Sequence, residues 1–238
     1  MPGMYGLEAG QSAVGDIFNW FVKQLSPSKY GNEAEAHKKL TQDAARLEPG
    51  ESGLVALDWN NGNRTILVDP LLTGLIVGQT LHTTASEIYR ALIEATAFGA
   101  LKIINRFEEY GVSVDQVINC GGIAGKNPLV MQIYSDVCDR PMRISRSAQT
   151  CALGAAIFGA VAAGKFASVE EAQACMTDVK EKVYEPIPRN VAVYQKLYRI
   201  YDTLHDAFAA DAKSESLSSV MKDLIAIRAR VRQGATHV

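Results

Sequence analysis

Apolar positions recur at intervals of three and four along much of this chain, which predicts a largely helical protein with short extended runs between the helices. In QSAVGDIFNWFVKQL, residues 11 to 25, the apolar groups Val14, Ile17, Phe18, Phe21 and Leu25 keep helical spacing. Gly3 to Leu7 before them read as a strand entering that helix. Residues 28 to 52 are polar and rich in Lys, Glu and Ala, which predicts a solvent-facing helix between loops. GLVALDWNNGNRTILVD reads as two short β-like runs around an Asn-Asn-Gly-Asn turn. Thr84 and Glu87 have the spacing of a capping box. That box opens a long amphipathic helix through about Tyr110, with Gly111 placed to end it.

The second half alternates. The run VINC predicts a strand, then a glycine-rich stretch leads into a helix from Pro128 to about Cys138. Proline suits a first helical turn, where its missing N–H costs nothing, and Asn127 suits the N-cap. MRIS, 142 to 145, reads as a second strand, and TCALGAAIFGAVAAG as a small-residue helix ended by Gly164. Its Gly154 and Gly159 leave room for another backbone to pack closely. Ser168 and Glu171 repeat the capping-box spacing. From Val191 to Arg232 the pattern is almost entirely helical, with Tyr194, Leu197, Tyr198, Tyr201 and Leu204 on one face. Strand–helix–strand–helix order predicts an α/β fold finished by a helical C-terminal segment.

Composition narrows the field. The 238 residues are 47% hydrophobic and 21% charged, enough for a real core. A net charge of −2 offers no basic stripe, so nucleic acid is not expected as a partner. No apolar stretch approaches the length of a membrane span, and MPGMYGLEAG has no secretory-signal pattern. These features predict a cytoplasmic protein with no membrane partner. Cys120, Cys138, Cys151 and Cys175 are widely spaced and read as buried, reduced thiols.

Two stretches carry candidate chemistry. The first is NCGGIAGKNPLVMQIYSDV, residues 119 to 137. No Ser or Thr follows Lys126, so it is not a phosphate-binding P-loop, and the G-x-G-x-x-G of a dinucleotide-dependent oxidoreductase is absent. Gly121 and Gly122 would let an adenine or ribose lie against the backbone, with Asn127 offering its amide. The same glycines serve equally well as a plain tight turn. The second stretch is GLEAGQSAVGDIFNW, where Gly15 and Asn19 share a helix face at i, i+4. Gly15 leaves room for a flat group that Asn19 can hydrogen-bond, or it simply packs against a neighbouring helix.

Together the stretches become specific. LEAGQSAVGDIFNWF, LLTGLIVGQTLHTTASEIYRALIEATAFG, NCGGIAGKNPLVMQIYSDVCDRPM and ALGAAIFGAVAAGKF occur in that order. They resemble the C-terminal half of the FGGY carbohydrate kinases, which share the actin-like ATPase (ribonuclease H-like) fold. The resemblance runs from about Gly3 to about Phe208. GLEAGQSAVGD, with ALDWNNGNRT downstream, is more similar to the family's ribulose-phosphorylating branch than to its glycerol or xylulose kinases. Gln79 and Leu92 depart from the general family pattern, both away from the expected nucleotide face.

The resemblance implies an ATP-dependent kinase for L-ribulose or a related ketopentose, in pentose and L-arabinose catabolism. It implies that Gly15 and Asn19 face the nucleotide, that Gly121 and Gly122 form the adenosine-motif turn, and that Asn127 lies beside adenine or ribose. It places Glu8 near the sugar, its carboxylate accepting hydrogen bonds from hydroxyls, and reads Arg64 as structural. The family's general-base aspartate and phosphate-binding turns have no counterpart here, so no catalytic residue is nominated among Asp16, Asp58, Asp69 and Asp136. Mg2+ is expected to be held mainly by groups outside this chain. Residues 1–238 are accordingly expected to be a fragment: a C-terminal kinase domain, incomplete at its N-terminal edge, with residues 188–238 as a helical extension. The missing N-terminal domain would be its partner, and a homo-oligomer is left open. The competing reading is a non-catalytic interaction or regulatory domain that keeps the fold.

Overall fold

The computed structural model describes residues 3–208 and 220–234. Its centre is the helix that the capping box opens. Helix α3, Ala85–Glu109, starts with both halves of the box made: the Thr84 side chain accepts from the Glu87 N–H, and the Glu87 carboxylate accepts from the Thr84 N–H at 2.7 Å. Residues 89 to 99 of α3 are buried in succession, because neighbours cover it on every side. These are α1 (Gly15–Gln24), α2 (Glu33–Ala44), strand β1 (Val55–Leu57), α5 (Pro128–Cys138) and α8 (Pro188–Ala207). Ile17, Phe18 and Phe21 of α1 and Tyr194, Leu197, Tyr201 and Leu204 of α8 fill the core around it. The tyrosine face read from the sequence is thus a core face, with Phe98 5.5 Å from Tyr201 between ring centroids.

Two small sheets flank this bundle. Strand β1 pairs antiparallel with β2 (Leu75–Val77), Val55 opposite Val77. Strand β3 (Val117–Asn119) pairs parallel with β4 (Met142–Ile144), Val117 opposite Met142. The crossover between β3 and β4 is the short helix α4 (Gly122–Lys126) followed by α5. Residues 178–184 run along the other side of β4, with Met142 and Tyr184 exchanging backbone hydrogen bonds at 2.9 and 3.0 Å. Helices α6 (Thr150–Ala162) and α7 (Val169–Met176) pack on each other, and α9 (Val220–Gly234) lies against α8.

Several expectations are corrected. Gly3 to Leu7 are not a strand; residues 4–14 have no helix or strand at all. The second β-like run, TILVD, is a closed loop. Ile66 (φ 91°) and Val68 (φ 53°) take left-handed backbone, and Asn63 and Asp69 close the turn by two backbone bonds of 2.8 and 2.9 Å. Helix α2 is not purely solvent-facing, since Ala36, Leu40 and Ala44 are buried on the core. Among the described residues nothing lies within 4 Å of a Cβ placed at Gly154 or Gly159, so no other backbone packs closely there. The second capping box is half made: Ser168 accepts from the Glu171 N–H, but the Glu171 carboxylate takes the Ala167 N–H instead. Of the four free cysteines only Cys138 is buried, its thiol pushed up to about 12 by desolvation. The C-terminal helical run is two helices, with residues 209–219 outside the described residues.

Candidate functional site

The glycine stretch folds as its residue types require. Gly121 stands at φ 90°, ψ −179°, a conformation essentially reserved for glycine. This turns the chain out of β3 into α4. Asn127 then caps α5: its side-chain oxygen accepts from the Val130 N–H at 3.2 Å, and Pro128 fills the first helical position. Its other amide end reaches across to the Thr41 hydroxyl of α2 at 3.4 Å.

That reach helps frame an open cleft of about 860 Å³ between α1, α2 and the α4–α5 corner. Gly15, Asn19, Gly122 and Asn127 all line it. These four were chosen from two stretches about a hundred residues apart, and the fold brings them to one surface. Gly121 is not in the lining; it makes the turn that presents Gly122, where a Cβ would meet nothing. Gly15 fits the packing alternative. A Cβ there would stand 2.7 Å from Ile123 Cδ1, so the glycine lets α1 close onto the α4 turn and does not simply open space. Asn19 is half-buried, and its carboxamide has no protein partner among the described residues.

The far wall and floor were not anticipated. Helix α2 contributes His37, Lys38, Thr41 and Gln42, and the buried rings of Phe18 and Tyr89 lie beneath. His37 Nδ1 lies 3.3 Å from the Tyr89 hydroxyl, and burial lowers the pKa of the imidazole against the pull of Glu33. Burial likewise raises the Tyr89 phenol. The signal was present in the sequence: Ala36, Leu40 and Ala44 fix the core stripe of α2, and His37/Thr41 and Lys38/Gln42 repeat at i, i+4 beside it. Lys126, on the α4 side, and Lys38, on α2, give the cleft two ammonium groups.

Glu8 lies elsewhere. It is exposed and paired with Arg64, Nη2 to Oε1 at 3.0 Å. Beside it a second cleft of about 450 Å³ is lined by the hydroxyl, carboxamide and guanidinium groups of Gln11, Ser12, Asn61, Asn63 and Arg64, together with Val68 and Pro70. Asp58 and Asp136 are buried and fully engaged, Asp58 by Gln11 and Tyr201, Asp136 by Gln132, Asn190 and the Ile187 N–H. Among the described residues no three His, Cys, Asp or Glu side chains gather as a metal site, and no helix is long and apolar enough to cross a membrane.

Known proteins share this sequence and architecture. The family model "FGGY family of carbohydrate kinases, C-terminal domain" matches residues 1–163. A ribulokinase of Anoxybacillus flavithermus is 54% identical over 217 residues, covering 87% of this chain and 38% of the relative. A ribulokinase of Halalkalibacterium halodurans is 50% identical over 237 residues, 96% of this chain and 41% of the relative. Among solved structures, xylulose kinase from Rhodospirillum rubrum aligns with a TM-score of 0.70 at 26% identity, covering 82% of this chain and 38% of that one. The chain therefore spans about two fifths of the length of these relatives. Its mixed helix-and-sheet architecture is the actin-like ATPase fold of the sugar kinases it aligns with. The chain belongs to the FGGY family of carbohydrate kinases and carries its C-terminal domain.

Proposed function

We propose that this chain is the nucleotide-binding half of an ATP-dependent, cytoplasmic sugar kinase acting on L-ribulose or a related ketopentose. One observation carries the nucleotide assignment: Gly15, Asn19, Gly122 and Asn127 converge on one cleft, with free space beside Gly122 among the described residues. In this reading the base or ribose lies against Gly122, within reach of the free Asn19 carboxamide. Asn127 edges the pocket from its capping position, and Gly121 supplies the turn. Bound ATP supplies the phosphoryl group that is transferred. The choice of ketopentose rests on the two ribulokinase relatives and on Glu8, whose carboxylate accepts hydrogen bonds from sugar hydroxyls.

In this reading Mg2+ is held mainly by groups outside this chain. The general base is likewise assigned outside residues 1–238, because none of Asp16, Asp58, Asp69 and Asp136 sits in the family's catalytic context, and Asp58 and Asp136 are in addition held by structural hydrogen bonds. Residues 1–238 alone are therefore expected to bind ATP weakly and turn nothing over. Each charge-assisted phosphate contact made elsewhere is worth about 1.5–3 kcal/mol. Calorimetric titration with ATP tests the site. Asn19→Ala should weaken binding about two- to tenfold, the worth of one hydrogen bond, and an unchanged affinity would remove Asn19 from it. Sugar-dependent ADP release by the purified chain would overturn the claim that it is inactive alone.

A further inference from the structure

Glu8 sits in a segment with no secondary structure of its own, so something else must hold it. Its ion pair with Arg64 cannot: the two side chains are 82% and 65% exposed, where such pairs are screened and contribute little. Three residues on, Gln11 has buried partners. Its Nε2 donates one hydrogen to Asp58 Oδ2 at 2.7 Å and the other to the Thr96 carbonyl of α3 at 2.8 Å. Asp58, just past β1, is 5% exposed, and its other oxygen accepts from the Tyr201 hydroxyl of α8 at 2.9 Å. The end of β1 and helix α3 thus meet at one carboxamide, and α8 joins them through Asp58.

The backbone is shaped around that meeting. A Cβ at Gly99 of α3 would stand 2.4 Å from Asp58 Oδ2 and 2.5 Å from Gln11 Nε2. A glycine in the middle of a long helix is unfavourable by propensity, so its place here answers to the space the pair needs. The Gly10 N–H donates to the Thr65 hydroxyl at 2.9 Å, a second, weaker tie on the same segment.

We propose that Gln11 is the positioning residue for the sugar-facing segment Glu8–Ser12, anchoring it to the core through Asp58 and the Thr96 carbonyl in the space left by Gly99. Resting on the assignment of Glu8 to the sugar, this makes the buried Asp58 carboxylate a fixed acceptor for the segment and ties sugar affinity to helices α3 and α8. A primary carboxamide of this length suits the place, since one nitrogen offers two hydrogens to two acceptors on different elements without burying a charge.

Two measurements test it. In this chain, amide hydrogen exchange over residues 8–12 should quicken at least tenfold in Gln11→Ala and Gly99→Ala, with α5 unaffected. Gly99→Ala is the decisive variant, because helix propensity alone would make it neutral or stabilising. In the complete kinase, both variants should raise KM for the ketopentose about tenfold or more while KM for ATP stays within about twofold, since small displacements of a contact group carry large costs. Asp58→Ala should reproduce the effect. Asp58→Asn should recover most of it, as its amide can still accept from Gln11 and donate to the Tyr201 oxygen. Unchanged exchange in Gly99→Ala overturns the anchor, and quickened exchange with an unchanged sugar KM overturns its positioning role. Glu8→Gln separates the two claims: an unchanged sugar KM there removes the sugar assignment of Glu8 itself, while a raised KM with inert Gln11 and Gly99 variants removes only the anchor.

Discussion

His205 of α8 is buried, and only one of its ring nitrogens has a protein partner. Nδ1 lies 2.9 Å from Asp206 Oδ1, so the neutral ring carries its proton on Nδ1 and donates it there. Nε2 is left as an acceptor without a protein partner among the described residues, as is the Trp59 Nε1 donor, and both residues line a cavity of about 20 Å³. That volume suits one water, able to accept from the indole and donate to the imidazole. Burial lowers the His205 pKa, opposed by the Asp206 hydrogen bond, and burial lowers His37 against Glu33. A depressed histidine pKa means the unfolded chain takes up protons first. Stability is then present above about pH 6.5, the ordinary histidine value, and falls as pH drops below it. Urea midpoints should decrease between pH 7.5 and pH 5.5, with a smaller decrease in His205→Gln, and nitrogen NMR should find the Nδ1–H tautomer at pH 7.5. A pH-independent midpoint or an Nε2–H tautomer would contradict this. At this scale the sequence is readable where partners are close. Thr84 with Glu87 and Asn127 with Val130 lie three residues apart, whereas Gln11 meets acceptors 47 and 85 residues away, and no local spacing announces them.

Helices α2, α3 and α8 are joined by one buried cluster. Arg90 donates to Glu94 at 2.8 Å, to the Ala44 carbonyl at the end of α2 at 2.9 Å and to the Tyr194 hydroxyl at 2.9 Å, and Tyr194 in turn reaches Glu94. Arg90 and Glu94 are 4% and 2% exposed. Burial pushes the Glu94 carboxyl upward, and the neighbouring guanidinium opposes it. Removing one partner leaves the other charge uncompensated, so Arg90→Met should cost about 3–5 kcal/mol in urea unfolding. The double change Arg90→Met with Glu94→Leu should restore most of that, because replacing a whole buried pair with apolar groups is often nearly neutral. A double variant as unstable as the single would show that the geometry of the clasp, not charge balance, sets the stability. Among elements, α3 and α5, which carry capping residues at their starts, were legible to within a residue or two, and for α7 the start alone was. Strand β2 was missed because three residues carry too little pattern. The TILVD run misled because its β-branched composition is held in a loop by left-handed backbone at Ile66 and Val68, which composition does not encode.

On the scale of the whole molecule, one face stands apart from the core. Helix α6 is strongly apolar, yet only Ile157 is buried and Phe158 is 57% exposed. Strand β3 has a strand partner on one side among the described residues, with Ile118 49% exposed. An uncovered apolar helix face and an open strand edge each favour association, since uncovered hydrocarbon and unpaired backbone groups both gain from contact. Residues 1–238 on their own should therefore sediment as larger species as concentration rises. Phe158→Lys should lower that tendency with little change in melting temperature, because more than half of the residue is already exposed. If the wild-type chain stays monomeric to its solubility limit, the exposed face is not adhesive and the argument fails. The proposed kinase adds a sharper form of the same test. The relatives are more than twice as long as this chain, so the remaining part of such a kinase can cover α6 and β3. Supplying that part should then suppress the association, and Phe158→Lys, harmless in the chain alone, should become destabilising in the complete protein.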